Sequence, residues 1–127
     1  MKKKATKPKV KVAICGTETL TKKQAIDSAR YLIQELIQRY DVRLIATVKE
    51  DLLGKAVRFV AKKHDLKLKT QRASDRADQS NPLELATAGL MWDAKRLIVV
   101  DDGGKGCAVY AMQMALRMKR KVQVFDI

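Results

Sequence analysis

Val10-Lys-Val-Ala-Ile-Cys-Gly-Thr-Glu-Thr-Leu-Thr-Lys-Lys-Gln24 is the stretch that decides the fold. Residues 10–15 are short, apolar and β-branched and stop at Gly16, which is the pattern of a buried strand. Thr21-Lys-Lys-Gln24 then has the spacing of a capping box, with a side chain at each end able to satisfy a backbone amide at a helix start. Behind it Ala25, Ile26, Ala29, Leu32, Ile33, Leu36, Ile37 and Tyr40 recur every three or four residues, the stripe of a helix with one buried face. Residues 42–48 read as a second strand.

The same alternation continues outward. Leu53, Ala56, Val57, Val60 and Ala61 predict a second helix ending near His64. Residues 66–71 predict a weaker edge strand, because Lys67 and Lys69 alternate with Leu66 and Leu68. Residues 72–80 hold no large apolar side chain and read as a loop. Asn81-Pro82-Leu83-Glu84 has the residues of a helix start, and that helix is expected to run to about Trp92. Leu97-Ile-Val-Val100 is the most apolar strand, residues 101–106 a loop, 107–118 a helix and 122–125 the last strand.

Five strands alternating with four helices predict an α/β protein, a parallel sheet covered on both faces. With right-handed crossovers, the expectation is a three-layer, Rossmann-like, doubly wound five-stranded sheet in the order 3-2-1-4-5. That order reverses direction between strands 1 and 4. Ligands bind such sheets at the reversal, beyond the carboxyl ends of the strands. The loops at 16–21 and 101–106 are then the ones that matter.

The composition sets bounds. A chain of 127 residues and 14.3 kDa is the size of one domain, expected here at 10–127 behind a mobile basic tail at 1–9. At 46% hydrophobic and 32% charged it is neither a disordered chain nor a membrane-embedded one. Two cysteines cannot build a disulfide scaffold, and one histidine does not build a zinc site. The basic start resembles the charged region of a signal peptide, but the apolar run that should follow is short and contains Lys11. A soluble, cytoplasmic protein is expected. Cys15 and Cys107 are expected as small buried residues at neighbouring strand ends, and His64 as a surface residue at a helix end.

Asp101-Asp-Gly-Gly-Lys-Gly-Cys107 follows a strand and opens a helix. Glycines let a backbone approach a ligand, and a helix start presents amide N–H groups and a positive field to an anion such as phosphate. Gly103, Gly104, Lys105, Gly106 and Cys107 are therefore candidate phosphate-binding residues, with Gly16, Thr17 and Glu18 across the crevice facing the rest of a nucleotide-type ligand. No resident cofactor is expected. Mg²⁺ would need Glu18, Asp101 and Asp102 to converge, yet adjacent residues at a strand end point to opposite sides.

These motifs resemble the SLOG superfamily of small Rossmann-like domains, which includes DNA-processing protein A and the LONELY GUY phosphoribohydrolases. The resemblance covers roughly 10–125 and rests on Gly16 after strand 1, Gly54-Lys-Ala56 opening helix 2, Met91 before strand 4 and Gly103-Gly-Lys-Gly106. In the phosphoribohydrolases the last motif reads Pro-Gly-Gly-x-Gly-Thr-x-x-Glu, and its Glu is catalytic. Here Asp102 stands at the Pro position, Cys107 at the Thr position and Tyr110 at the Glu position. The Arg that precedes the family's Met is not evident, and Val48-Lys-Glu-Asp51 replaces a glycine pair. The resemblance implies the fold and a nucleotide-type pocket. With the general acid–base replaced by Tyr110, it implies binding rather than hydrolysis of a glycosidic bond. A surviving phosphoribohydrolase is the third reading, after a basic structural or nucleic-acid-associated protein with an empty crevice.

Charge is distributed unevenly. Lys+Arg number 27 against 14 Asp+Glu, a net +13. The turns from helix to strand hold Arg39, Arg43, Lys62, Lys63, Lys67, Lys95, Arg96, Lys119, Arg120 and Lys121 against Asp41, Asp65 and Asp93. In a parallel sheet those turns share one edge, and Lys2, Lys3, Lys4, Lys7 and Lys9 of the tail enter beside them. Cations favour helix C-termini, which accounts for some of them. The rest predict a surface facing a polyanion, either a nucleic acid contacted through its phosphates or an acidic protein. With aromatic residues at 5%, base stacking is not expected at that edge. The last helix carries Tyr110, Ala111, Met112, Met114, Ala115, Leu116 and Met118 on more than one face, which predicts deep burial or homo-oligomerisation.

Overall fold

The computed structural model describes residues 7–17, 19–49, 51–71, 94–103 and 108–127, without the side chains of 108–111 and 114. The expected helix at 82–92 and the loop before it lie outside the described residues, as do Glu18, Lys2 to Lys4 and 104–107.

Strand β1 (Lys9–Gly16) leads to helix α1 (Lys22–Arg39), strand β2 (Asp41–Val48), helix α2 (Leu52–Lys62) and strand β3 (Leu68–Gln71). Strand β4 (Arg96–Asp101), helix α3 (Ala108–Arg117) and strand β5 (Lys121–Asp126) follow. All five strands are parallel, in the order β3-β2-β1-β4-β5, as the alternation predicts. The capping box closes α1: the Thr21 hydroxyl accepts from the Gln24 amide at 3.1 Å, and the Thr21 amide donates to Gln24 Oε1 at 3.0 Å. Such a cap stabilises a helix by about 1 kcal/mol.

Helices cover both faces. On one, α1 and α2 lay Ala25, Ala29, Leu32, Ile33, Leu53, Val57 and Val60 on Val12, Ile14, Ile45, Ile98 and Val100. On the other, Ala115, with Met112 and Met118 beside it, meets Ala13, Cys15, Leu97 and Val99. The period-two alternation of each strand feeds both cores, so β1 is buried on both sides from Val12 to Gly16.

Two helices stop sooner than their apolar spacing predicts. α2 ends at Lys62 rather than near His64, and Asp65 takes the left-handed conformation at φ 54°. After α3, Lys119 does the same at φ 57°, and the Arg120 amide bonds the Ala115 carbonyl at 2.7 Å. Leu116, read on the same apolar side as Ala115, is 67% exposed while Ala115 is buried. One helical position rotates a side chain by about 100°, enough to carry it from core to solvent.

Candidate functional site at the carboxyl edge

The reversal between β1 and β4 brings together the loops that leave these two strands. The Thr17 amide continues the strand pairing onto the Val100 carbonyl at 3.1 Å. Beyond that bond, Asp102 fastens one loop to the other. The Thr17 hydroxyl donates to Asp102 Oδ1 at 2.7 Å. The Thr19 hydroxyl lies 2.6 and 2.8 Å from the two oxygens of the same carboxylate. The Asp102 amide donates back to Thr17 Oγ1 at 3.4 Å. Hydroxyl bonds to a charged acceptor are the stronger kind, each contributing about 1.5–3 kcal/mol when sheltered. Thr17 is buried, so one end of this clamp is out of water.

Asp101 turns the other way. Its Oδ1 accepts the Gly103 amide at 2.8 Å, and its carbonyl accepts the Ile127 amide at 2.9 Å. The two adjacent aspartates thus serve different partners. Among the described residues, no three of His, Cys, Asp and Glu are grouped to hold a metal ion. Gly103 has φ +87° with open space where a Cβ would stand, so this turn calls for glycine on conformation alone.

A third carboxylate completes the edge, and sequence reading missed its role. Asp51 caps α2, and one oxygen, Oδ2, accepts both the Gly54 amide of that helix and the Gly16 amide at the end of β1, each at 3.3 Å. Burial pushes its carboxyl up from 3.8 to about 6, against the pull of the Gly16, Gly54 and Leu53 amides and the Arg58 charge. Arg58 itself donates to the Thr47 hydroxyl at 2.7 Å and to the Val48 and Lys49 carbonyls at 3.0 and 2.9 Å. An Asp one residue before an apolar helical run is the signal that could have found this cap. Its second bond crosses 35 residues and has no local signature.

Gly16 and Gly54 have packing reasons. A Cβ on Gly54 would stand 2.7 Å from the Val48 carbonyl oxygen, and one on Gly16 would stand 2.6 Å from Leu20 Cδ1 and 3.0 Å from Leu53 Cβ. Of the expected ligand-facing residues, Gly16 and Thr17 are therefore turned into the protein, while Gly103 is exposed. Glu18, Gly104, Lys105, Gly106 and Cys107 fall outside the described residues.

The opposite edge carries the expected cations, several of them in contacts. Arg39 pairs with Glu35 at 3.1 Å and Arg43 with Asp41 at 2.8 Å. Arg96 lies over the Tyr40 ring at 4.9 Å and Lys63 over Phe59 at 4.5 Å. Lys7 donates to the Ile37 carbonyl at 2.8 Å. Arg120 Nε is buried without a hydrogen-bond partner among the described residues. Lys9, Lys62, Lys67, Lys95, Lys119 and Lys121 stand in or beside the same turns.

Compared with family models, curated proteins and solved structures, the chain matches none. None of them identifies the SLOG superfamily, and the resemblance rests on the sequence motifs alone. Among the described residues no helix is long and apolar enough to cross a membrane.

Proposed function

We propose that this protein is a non-catalytic module that binds a nucleotide or nucleotide-derived, phosphate-bearing ligand at the carboxyl edge, with its basic edge facing a polyanion. One observation carries the reading. The 3-2-1-4-5 order and the Asp102 clamp hold the loops after β1 and β4 side by side at the reversal point, with residue 103 leading toward the start of α3. The amides of 104–107 would meet the phosphate, and Thr19 and Glu18 the ribose or base. Binding without turnover follows from Tyr110 standing where the similar enzymes have their carboxylate. Homo-oligomerisation through the outward side of α3, where Leu116 is exposed, belongs to the same proposal.

The test is mass spectrometry of small molecules released from nuclease-treated protein, followed by calorimetry with AMP, GMP and ADP-ribose. Gly104→Val should abolish that binding and leave the circular dichroism unchanged. Unaltered affinity in the variant would remove the phosphate role.

A second reading has its own observation. Thr17, Thr19, Asp101, Asp102 and the Gly103 amide satisfy one another, and three carboxylates at this edge oppose a bare anion. A basic nucleic-acid-associated protein with an unused crevice fits that arrangement. Release of no small molecule, with binding to duplex DNA that Gly104→Val leaves intact, would select it.

A further inference from the structure

β4 and β5 are roofed on one face by α3, but no described helix lies over their other face. Pairing of Arg96 with Lys121, Ile98 with Gln123 and Val100 with Phe125 places these six side chains together on that second face. α1 flanks it along one side and leaves an open groove in two basins. The basin toward the amino edge, about 480 Å³, is bordered by Arg39, Tyr40, Arg96, Ile98 and Lys121. The basin toward the carboxyl edge, about 400 Å³, is bordered by Asp27, Ser28, Val100, Asp126 and Ile127. Tyr31, Leu32 and Phe125 belong to both, and the Tyr31 and Phe125 rings meet edge to face at 6.0 Å between them. Tyr31 and Ile127 are each 54% exposed, a large apolar surface for a face of this size.

The groove is polarised from end to end. Arg39, Arg96 and Lys121 stand at the amino end, where the one described carboxylate, Glu35, is held by Arg39. Asp27 stands at the carboxyl end, where Asp126 borders the basin from the end of β5 with its side chain alternating toward the α3 face, and no described cation borders the basin. A single-stranded nucleic acid would meet repulsion along half of this path. A helix would not, provided it ran antiparallel to the strands, as crossover helices in a parallel sheet do. Its positive N-terminus would then lie by Asp27, and its negative C-terminus by Arg39, Arg96 and Lys121. The reverse direction would set like charge against like at both ends.

We propose that this groove docks an amphipathic α-helix of a partner polypeptide, antiparallel to β4 and β5, with basic residues in its first turn and acidic residues in its last. Six-residue strands span roughly 20 Å, which about 13 helical residues match. The basins are a little more than one turn apart along α1, so two large apolar side chains at i and i+4, or i and i+7, would fill one each.

Two hydrocarbon-stapled 14-residue peptides with the same leucine stripe test this, one carrying Lys in the first turn and Glu in the last, the other with these charges exchanged. Stapling keeps both helical when free. By fluorescence anisotropy the first should bind about tenfold more tightly, the gain of matching both ends. Lys121→Glu, at an exposed position, should shrink that preference several-fold with an unchanged circular dichroism spectrum. Phe125→Glu should weaken both peptides. Equal binding of the two, a preference for the exchanged charges, or no binding of either overturns the proposal. So does a dimer, seen by sedimentation, that Phe125→Glu dissolves, since the groove would then be a contact between copies. Binding of a single-stranded oligonucleotide that Lys121→Glu and Phe125→Glu both abolish overturns it as well.

Discussion

Asp51→Asn isolates one ionisation with a sign that can be worked out in advance. The folded protein raises the carboxyl to about 6 from 3.8, because burial penalises the charged form. Below about pH 4 the group is protonated in both folded and unfolded chains and contributes no pH dependence. Between about 4 and 6 the folded state holds the proton more tightly, so stability falls as pH rises. Above about 6 the group is ionised in both states and the whole penalty, about 3 kcal/mol, is in place. Asn keeps an oxygen for the Gly16 and Gly54 amides and cannot ionise. Its own NH₂ adds a cost, but one that does not vary with pH. Urea denaturation of both proteins at several pH values between 3.5 and 7.5 gives the difference in unfolding free energy. That difference should move in favour of Asp51→Asn by about 3 kcal/mol over the range, most of it between pH 4 and 6. A flat difference, or one favouring Asp51 as pH rises, would refute the burial argument and make the two amide bonds and Arg58 dominant.

Other perturbations separate packing from polar contacts. Gly54→Ala should destabilise by about 1–3 kcal/mol in the same denaturation assay, because its Cβ would press on the Val48 carbonyl, a backbone atom that cannot swing aside. Asp102→Ala should cost about 1–3 kcal/mol and speed amide hydrogen exchange at Thr17 and at position 102 itself, while exchange in β2 stays unchanged. At the basic edge, the salt dependence of duplex DNA binding should lose several units of slope when 2–9 are deleted and Lys119, Arg120 and Lys121 become Ala. No affinity at about 100 mM salt would assign the charge to an acidic protein partner or to solubility.

The strand order was legible because periodicity is local and topology has few choices. Val10 to Cys15 could be read as a buried strand and Ala25 to Tyr40 as one helix face without any knowledge of what they touch. With right-handed crossovers, that alternation left the 3-2-1-4-5 sheet as the natural outcome. Helix ends were less legible: Asp65 and Lys119 take a conformation usually marked by glycine, and neither announces it. The carboxyl edge was legible as a place and illegible in its bonding. Gly16 looked like a residue kept small for a ligand, and its space is taken by Leu20 and Leu53. Asp51 looked like a substitution in a loop, yet it joins β1 to α2 across the chain. Such bonds depend on two segments meeting in space, which no spacing along the sequence records. Arg39, Arg96 and Lys121 could be placed on one edge from the sequence, but the groove they border escaped, since it exists only where α1 flanks the folded β4 and β5.

The Asp102 clamp changes what a visitor to the carboxyl edge would encounter. Two loops that would otherwise wander independently are joined before anything arrives, through Thr17 and Thr19. Ordering each free loop residue costs roughly 1–2 kcal/mol, and that cost is met during folding rather than during binding. At Thr17, Thr19 and Asp102 nothing is left to order on arrival, so a contact made there should form at a rate set by diffusion and orientation. Severing the clamp would transfer the cost to the binding step, so the damage would appear as slower capture as well as faster escape.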